Sequence, residues 1–254
     1  MRDPRRSDAS ARQGAGSWWR AARRTEPRLL MGCLGLMICV WAFLALTGEV
    51  REQETTPFDR TILLAFRLPG NLATPVGPKW LQESGRDVTA LGGFTVLSLV
   101  TVLAIVLLVM HRRQTQAMIF CVTVLLAQGA AEAVKQLVHR ARPDLVPQHD
   151  LVYSASFPSG HAVMAPVVYL TLAAILSAGD RRGPVKIVLL ASAGLLVVAV
   201  GVSRVYLGVH WPTDVLAGWT MGAGIALAAS MVVHLSAPTQ NADEPVTPEG
   251  ATAS

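Results

Sequence analysis

The chain has 254 residues, 52% hydrophobic and only 15% charged, with a mean hydropathy of +0.42, which is too apolar for an ordinary soluble domain and excludes disorder over most of its length. The net charge of +5 does not call for nucleic acid, because 8 of the 22 Lys and Arg fall within residues 1–28, where a segment beside a membrane meets anionic headgroups.

A helix needs roughly 20 apolar residues to cross hydrocarbon. Six runs qualify: Leu29–Thr47, Val88–Met110, Ala117–Val134, Ala162–Ala178, Ile187–Val202 and Val215–Leu235. They are continuous and apolar all round, unlike the alternating strands of a barrel, so the expected fold is an all-α, polytopic six-helix bundle. The fifth run is the shortest, and Lys186 can snorkel to lengthen it. The expected organisation is a basic cytoplasmic leader (1–28), a membrane domain (29–235) with its catalytic core at about 88–235, and a disordered cytoplasmic tail (236–254). No small-x-small cleavage site follows the first run, which reads as a retained signal anchor. Cys33, Cys39 and Cys121 lie inside apolar runs and offer no disulfide framework.

Orientation follows from Lys and Arg by side. With the N-terminus inside, the inner segments hold 13 in 61 residues and the outer ones 9 in 79, so both termini are expected in the cytoplasm of a plasma-membrane protein, with connections one, three and five facing the periplasm or exterior. In the first outer connection, Thr56-Pro57-Phe58-Asp59 has the pattern of a capping box with Pro at the first helical position, and Phe58, Ile62 and Phe66 recur at four-residue spacing. A short interfacial helix is expected there, ended by Pro69-Gly70, with Trp80 anchoring the return to the membrane.

Three polar clusters stand at the outer helix ends: Lys135 with Arg142-Pro143, Pro158-Ser159-Gly160-His161, and Ser203-Arg204 followed by His210 and Asp214. Each alone has a plain reading: snorkelling anchors, a capped turn, an interfacial His with a first-turn acid. Together they place three cations, two imidazoles, a carboxylate and a Ser-Gly helix start on one membrane face. A phosphoryl group in transfer spreads negative charge over three equatorial oxygens and needs fixed cations and N–H donors there. Lys135, Arg142 and Arg204 supply charge, while the Gly160 and His161 N–H groups and the Ser159 hydroxyl open a helix N-terminus toward the anion, so no metal or cofactor is required. His210 can attack phosphorus if Asp214, four residues on, holds its far nitrogen, and His161 can serve as acid and then base.

K-x6-R-P, P-S-G-H and S-R-x5-H-x3-D together resemble the tripartite signature of the type-2 phosphatidic acid phosphatase superfamily, which includes lipid phosphate phosphatases and vanadium haloperoxidases. The resemblance is complete at every signature position and covers roughly helices two to six. It implies a metal-independent phosphatase with a phosphohistidine intermediate: His210 as nucleophile, Asp214 as its orienter, His161 as acid and base, and Lys135, Arg142, Ser159, Gly160 and Arg204 on phosphate. Haloperoxidase activity is disfavoured because those relatives are soluble.

The expected substrate is the terminal phosphate of a lipid phosphate or pyrophosphate, with polyprenyl pyrophosphate, phosphatidic acid and phosphatidylglycerol phosphate equally compatible. A phosphotransferase of the same mechanism and a non-catalytic transporter of anionic lipids are the alternatives; the transporter leaves the two histidines unexplained. Expected partners are substrate and membrane lipids, with no nucleic acid. Glu132, three residues before Lys135, reads as its ion-pair partner. His111, His139, His149 and His234 read as solvated or interfacial, and Trp211 and Tyr153 as interfacial aromatics.

Overall fold

A computed structural model describes residues 5–146, 154–178 and 183–236. Helix α1 (Arg5–Arg51) carries the first apolar run beyond its predicted end. Gln53, at φ 62°, breaks it, and α2 (Thr56–Ala65) follows with Pro57 in its first turn, the interfacial helix expected from the sequence. The expected capping box is not formed. Thr55 occupies the N-cap without a side-chain bond, and Asp59 is fully buried and turned to distant partners. Beyond Phe66 the chain makes a small antiparallel hairpin, β1 (Arg67–Leu68) with β2 (Asn71–Pro75), pairing Leu68 with Asn71 across Pro69-Gly70. Gly70 sits at φ 85°, a conformation open to glycine and suited to the position after a turn proline.

The second span departs from expectation. The run Val88–Met110 is not one helix but the junction of α3 (Lys79–Ala90) with α4 (Phe94–Met110), bent by 44°. The break falls at Leu91-Gly92-Gly93, residues that a hydropathy average counts as part of the run. Gly92 is needed for close packing: a Cβ there would overlap a Val200 methyl and lie 3.3 Å from the His161 side chain. The remaining spans are α5 (Gln114–Val138), α6 (Gly160–Ala178), α7 (Gly183–Tyr206) and α8 (Pro212–Leu235). Among the described residues five helices are long and apolar enough to cross a membrane, and the bent α3–α4 pair makes a sixth. This is a multi-pass membrane protein.

Apart from the second, the helices run past the ends of the predicted apolar runs, and at the site end this matters most. Helix α5 continues through Lys135, α7 through Arg204, and α6 and α8 begin early enough to carry His161 and Asp214 in their first turns. Polar residues at a span's end keep the helix while leaving the hydrocarbon. The core centres on α6, with Val163, Val167, Val168 and Ile175 fully buried; it packs on α8, α7 and α5. Small residues permit close approach between membrane helices: a Cβ on Gly222 of α8 would overlap the Val163 carbonyl. Leucines, valines and methionines exposed on α1, α4, α5 and α7 form the belt that faces lipid. The expected tail after Ser236, His149 and Tyr153 lie outside the described residues.

Candidate active site

His210 lies in the short loop between α7 and α8 and is 2% exposed. The loop is set by Gly208 at φ 75° and by the Val209 N–H donating to the Arg204 carbonyl at 3.2 Å. On one side, Arg142 Nη1 approaches His210 Nε2 at 3.1 Å. A guanidinium can only donate, so Nε2 presents its lone pair there and the proton resides on Nδ1. That Nδ1 faces Ser156 Oγ at 3.4 Å and Asp214 Oδ2 at 3.5 Å, while the Ser156 hydroxyl donates to Asp214 in a short bond. Burial pushes the His210 pKa down to about 4 against the pull of Asp214, with Arg142 and Arg204 adding to the depression. The imidazole is therefore neutral near pH 7.

The remaining predicted residues converge on the same place. Arg142 also donates from Nε to the Ser154 carbonyl at 3.0 Å and from Nη1 to the Val209 carbonyl at 2.8 Å; burial lowers its pKa, with Asp214 opposing. Lys135 Nζ, paired with Glu132 at 3.5 Å as expected, stands 3.6 Å from where a Cβ on Gly160 would be. A side chain at Gly160 would thus crowd the space between the α6 N-terminus and this cation. Ser159 is fully buried, its hydroxyl without a hydrogen-bond partner among the described residues, and its N–H donates to the Asp214 carbonyl at 3.1 Å. Arg204 is held by Thr89 Oγ1 at 2.8 Å. His161 lies within electrostatic reach of Arg204, His210, Arg142 and Lys135. All eight predicted site residues are thus gathered at one end of the bundle.

From His161 and Gly160 a cavity of about 380 Å³ runs down between α4, α5 and α6, walled mainly by apolar side chains including Leu97, Val124 and Met164. It brings a hydrocarbon-lined groove to the rim of a cluster of cations and imidazoles.

The PAP2 superfamily profile matches residues 116–237. The chain is 31% identical over 187 residues to phosphatidylglycerophosphatase B of Bacillus subtilis, covering 71% of this chain and 85% of that protein. The chain belongs to the PAP2 superfamily. It is also 32% identical over 168 residues to decaprenylphosphoryl-5-phosphoribose phosphatase of Mycobacterium tuberculosis, covering 65% of this chain and 81% of that one. A crystal structure of a transmembrane PAP2-type phosphatidylglycerolphosphate phosphatase from Bacillus subtilis superposes with a TM-score of 0.73 at 26% identity, covering 81% of this chain and 98% of the other.

Several further residues hold this cluster together. Arg140 bridges two buried carboxylates, donating to Asp214 Oδ1 and to Asp59 Oδ2, each at 2.6 Å, and it reaches Thr55 and Thr213. Asp59 in turn accepts from the Thr213 N–H at 2.9 Å and the Thr213 hydroxyl at 2.7 Å. It therefore satisfies a free N–H in the first turn of α8 from a different helix, a task usually left to a local cap. Asp214 Oδ2 also accepts from the Trp211 N–H at 3.0 Å. Trp211 is more than an interfacial aromatic: its indole N–H donates to the Ala141 carbonyl at 3.0 Å, and the Arg140 guanidinium lies 5.7 Å from its ring centroid. Sequence offered one signal for Arg140, a second cation two residues before Arg142. Ser156 offered none beyond its place upstream of Ser159.

Proposed function

We propose that this protein is a metal-independent phosphatase that removes the terminal phosphate of a lipid phosphate or pyrophosphate through a phosphohistidine at His210. Its family and its phosphatase-named relatives make it a lipid phosphatase in class. The observation that carries the finer reading is the pose of His210: Nδ1 toward Asp214 and Ser156, and Nε2 toward Arg142 beside the cationic cradle.

In this mechanism Arg142, Lys135 and Arg204, with the Ser159 hydroxyl and the N–H groups that begin α6, hold the non-bridging oxygens. His210 Nε2 attacks phosphorus in line, forming the P–N bond as the P–O bond to the lipid breaks. His161 gives its proton to the leaving oxygen. The imidazolium character that develops on His210 is steadied by Asp214, whose position Arg140, Ser156 and the Trp211 N–H fix. His161, now neutral, takes a proton from water, whose oxygen attacks phosphorus; the P–N bond breaks, releasing inorganic phosphate and free His210. The protein's own cations neutralise the transition-state charge.

The apolar groove ending at His161 supports an amphiphilic substrate whose chains stay in the bilayer. The inward bias of Lys and Arg supports cytoplasmic termini and a site facing the periplasm or exterior. The test is phosphate release by detergent-purified protein from phosphatidate, phosphatidylglycerol phosphate and polyprenyl pyrophosphate in excess EDTA. Release from at least one lipid that His210→Ala abolishes is expected; strict dependence on added divalent metal would overturn the mechanism.

A further inference from the structure

The groove below His161 is not uniformly apolar. Ser98 and Thr101 of α4 and Gln128 of α5 line it together with the hydrocarbon side chains. The Thr101 hydroxyl is buried and has no hydrogen-bond partner among the described residues, although a threonine in a helix has a preceding carbonyl within reach. A polar group left unsatisfied at membrane depth is expensive, so the unpartnered Thr101 hydroxyl, with the half-buried Ser98 and the exposed Gln128 amide on the same lipid-sized groove, calls for an occupant that offers hydrogen-bonding atoms at that depth.

Depth can be counted from the reacting centre. A Cβ on Gly93 would lie 3.7 Å from His161 Nε2, which fixes the start of α4 at the level of the site. Ser98 is five residues and Thr101 eight residues further along, so at a rise of 1.5 Å per residue they lie about 7 and 12 Å below it. Gln128 is seven residues below Lys135, about 10 Å. In a polyprenyl diphosphate the second phosphorus is only about 3 Å from the first, and everything from about 5 Å onward is hydrocarbon, counting bonds of about 1.5 Å. Such a chain would set isoprene carbons against the hydroxyls and the amide. A phosphate on glycerol reaches its ester carbonyls at about 6 Å, and a second phosphate-glycerol unit moves them beyond 10 Å.

Resting on the phosphatase reading above, we infer that the substrate carries a polar spacer with acceptor oxygens, glycerol ester or sugar, between its scissile phosphate and its hydrocarbon, and that Ser98, Thr101 and Gln128 select for it. These three are specificity residues; none touches the reacting phosphorus.

The test measures kcat/KM of the full-length protein in mixed micelles for phosphatidate, phosphatidylglycerol phosphate and undecaprenyl diphosphate, in the wild type, Gln128→Leu, Thr101→Val and the double variant. The wild type is expected to prefer a spacer-bearing lipid by at least about tenfold, the worth of one or two hydrogen bonds. The double variant is expected to lower that preference about tenfold by losing activity on the spacer-bearing lipid. Because the readout is a ratio within one preparation, a smaller folded fraction cancels. A sugar-spaced polyprenyl phosphate tested alongside tells the two spacers apart, and a preference for either one supports the inference. A wild type that prefers undecaprenyl diphosphate would overturn it, as would a ratio unchanged in the double variant, the result expected of a groove that only holds water. Failure of the phosphatase reading itself looks different: no EDTA-resistant release from any of the lipids.

Discussion

Replacing Arg140 with methionine keeps much of the side chain's length and apolar stem while deleting its charge. The guanidinium holds Asp59 and Asp214 at 2.6 Å each, and the three side chains are 14%, 1% and 0% exposed. Without it two buried carboxylates face each other across the width of one guanidinium with no cation between them. At a separation of about 5 Å and an effective dielectric of about 20, their repulsion is about 3 kcal/mol, and breaking a buried pair by removing one partner costs about 3 to 5 kcal/mol. For a chain of this size that is a fall in Tm of about 6 to 20 °C, read by thermal unfolding in detergent. Catalysis should suffer as well, because Asp214 loses one of the groups that aim it at His210. The loss should appear in kcat more than in KM, since Arg140 bonds to Asp214 and Asp59 and acts through Asp214 on His210. Asp59→Asn in the same background removes one of the two repelling charges, so the two substitutions should be non-additive by at least about 1 kcal/mol. Arg140→Lys should restore little, because one ammonium cannot reproduce the two-armed bridge. Arg140→Met with a Tm within 2 °C of wild type and unchanged kcat, or strict additivity with Asp59→Asn, would refute the reasoning.

Three further outcomes are expected. In histidine-labelled protein without substrate, the His210 ring should remain neutral at pH 5.5 by NMR, since burial holds its pKa at about 4. The folded value lies below the ordinary one of about 6.5, so this group's contribution to stability is complete above about pH 6.5 and is lost as pH falls toward about 4; titration near 6.5 would contradict it. Ser156→Ala should lower kcat about tenfold with KM little changed, because the hydroxyl that links His210 Nδ1 to Asp214 is gone; an unchanged kcat would remove Ser156 from the site's machinery. Gly92→Ala should lower Tm through overpacking worth about 1 to 3 kcal/mol and reduce activity by displacing His161. Adding Val200→Ala, which removes the methyl in its way, should recover most of the Tm, and no recovery would count against the contact.

The parts of this molecule that were legible in its sequence are those where physics acts locally. Continuous apolar runs gave the spans, and charges stranded at span ends gave Lys135, Arg142, Arg204, His210 and Asp214, because a cation or imidazole beside hydrocarbon needs a reason. The illegible parts depend on partners far along the chain. Asp59 matches a local capping pattern, yet its bonds go to Arg140 and Thr213, 81 and 154 residues away. Arg140 counted only toward topology, since nothing in its neighbourhood announces two buried carboxylates. The 44° bend between α3 and α4 was hidden because glycine lowers hydropathy too little to interrupt an apolar window, while its structural meaning, room for His161 and Val200, lies in tertiary contact. Hydropathy reports where hydrocarbon ends rather than where helix ends, and the site occupies that margin.

The central claim is that His210 carries the phosphoryl group between substrate and water. The most direct measurement uses ³²P-labelled aryl phosphate, whose leaving group departs without a proton, with His161→Ala protein, in which the water that resolves the intermediate has lost its base. Quenching at alkaline pH and peptide mapping should recover acid-labile label on His210, absent when His210→Ala is added. Label on another residue, or phosphate turnover that persists at wild-type rate in His210→Ala, would contradict the account.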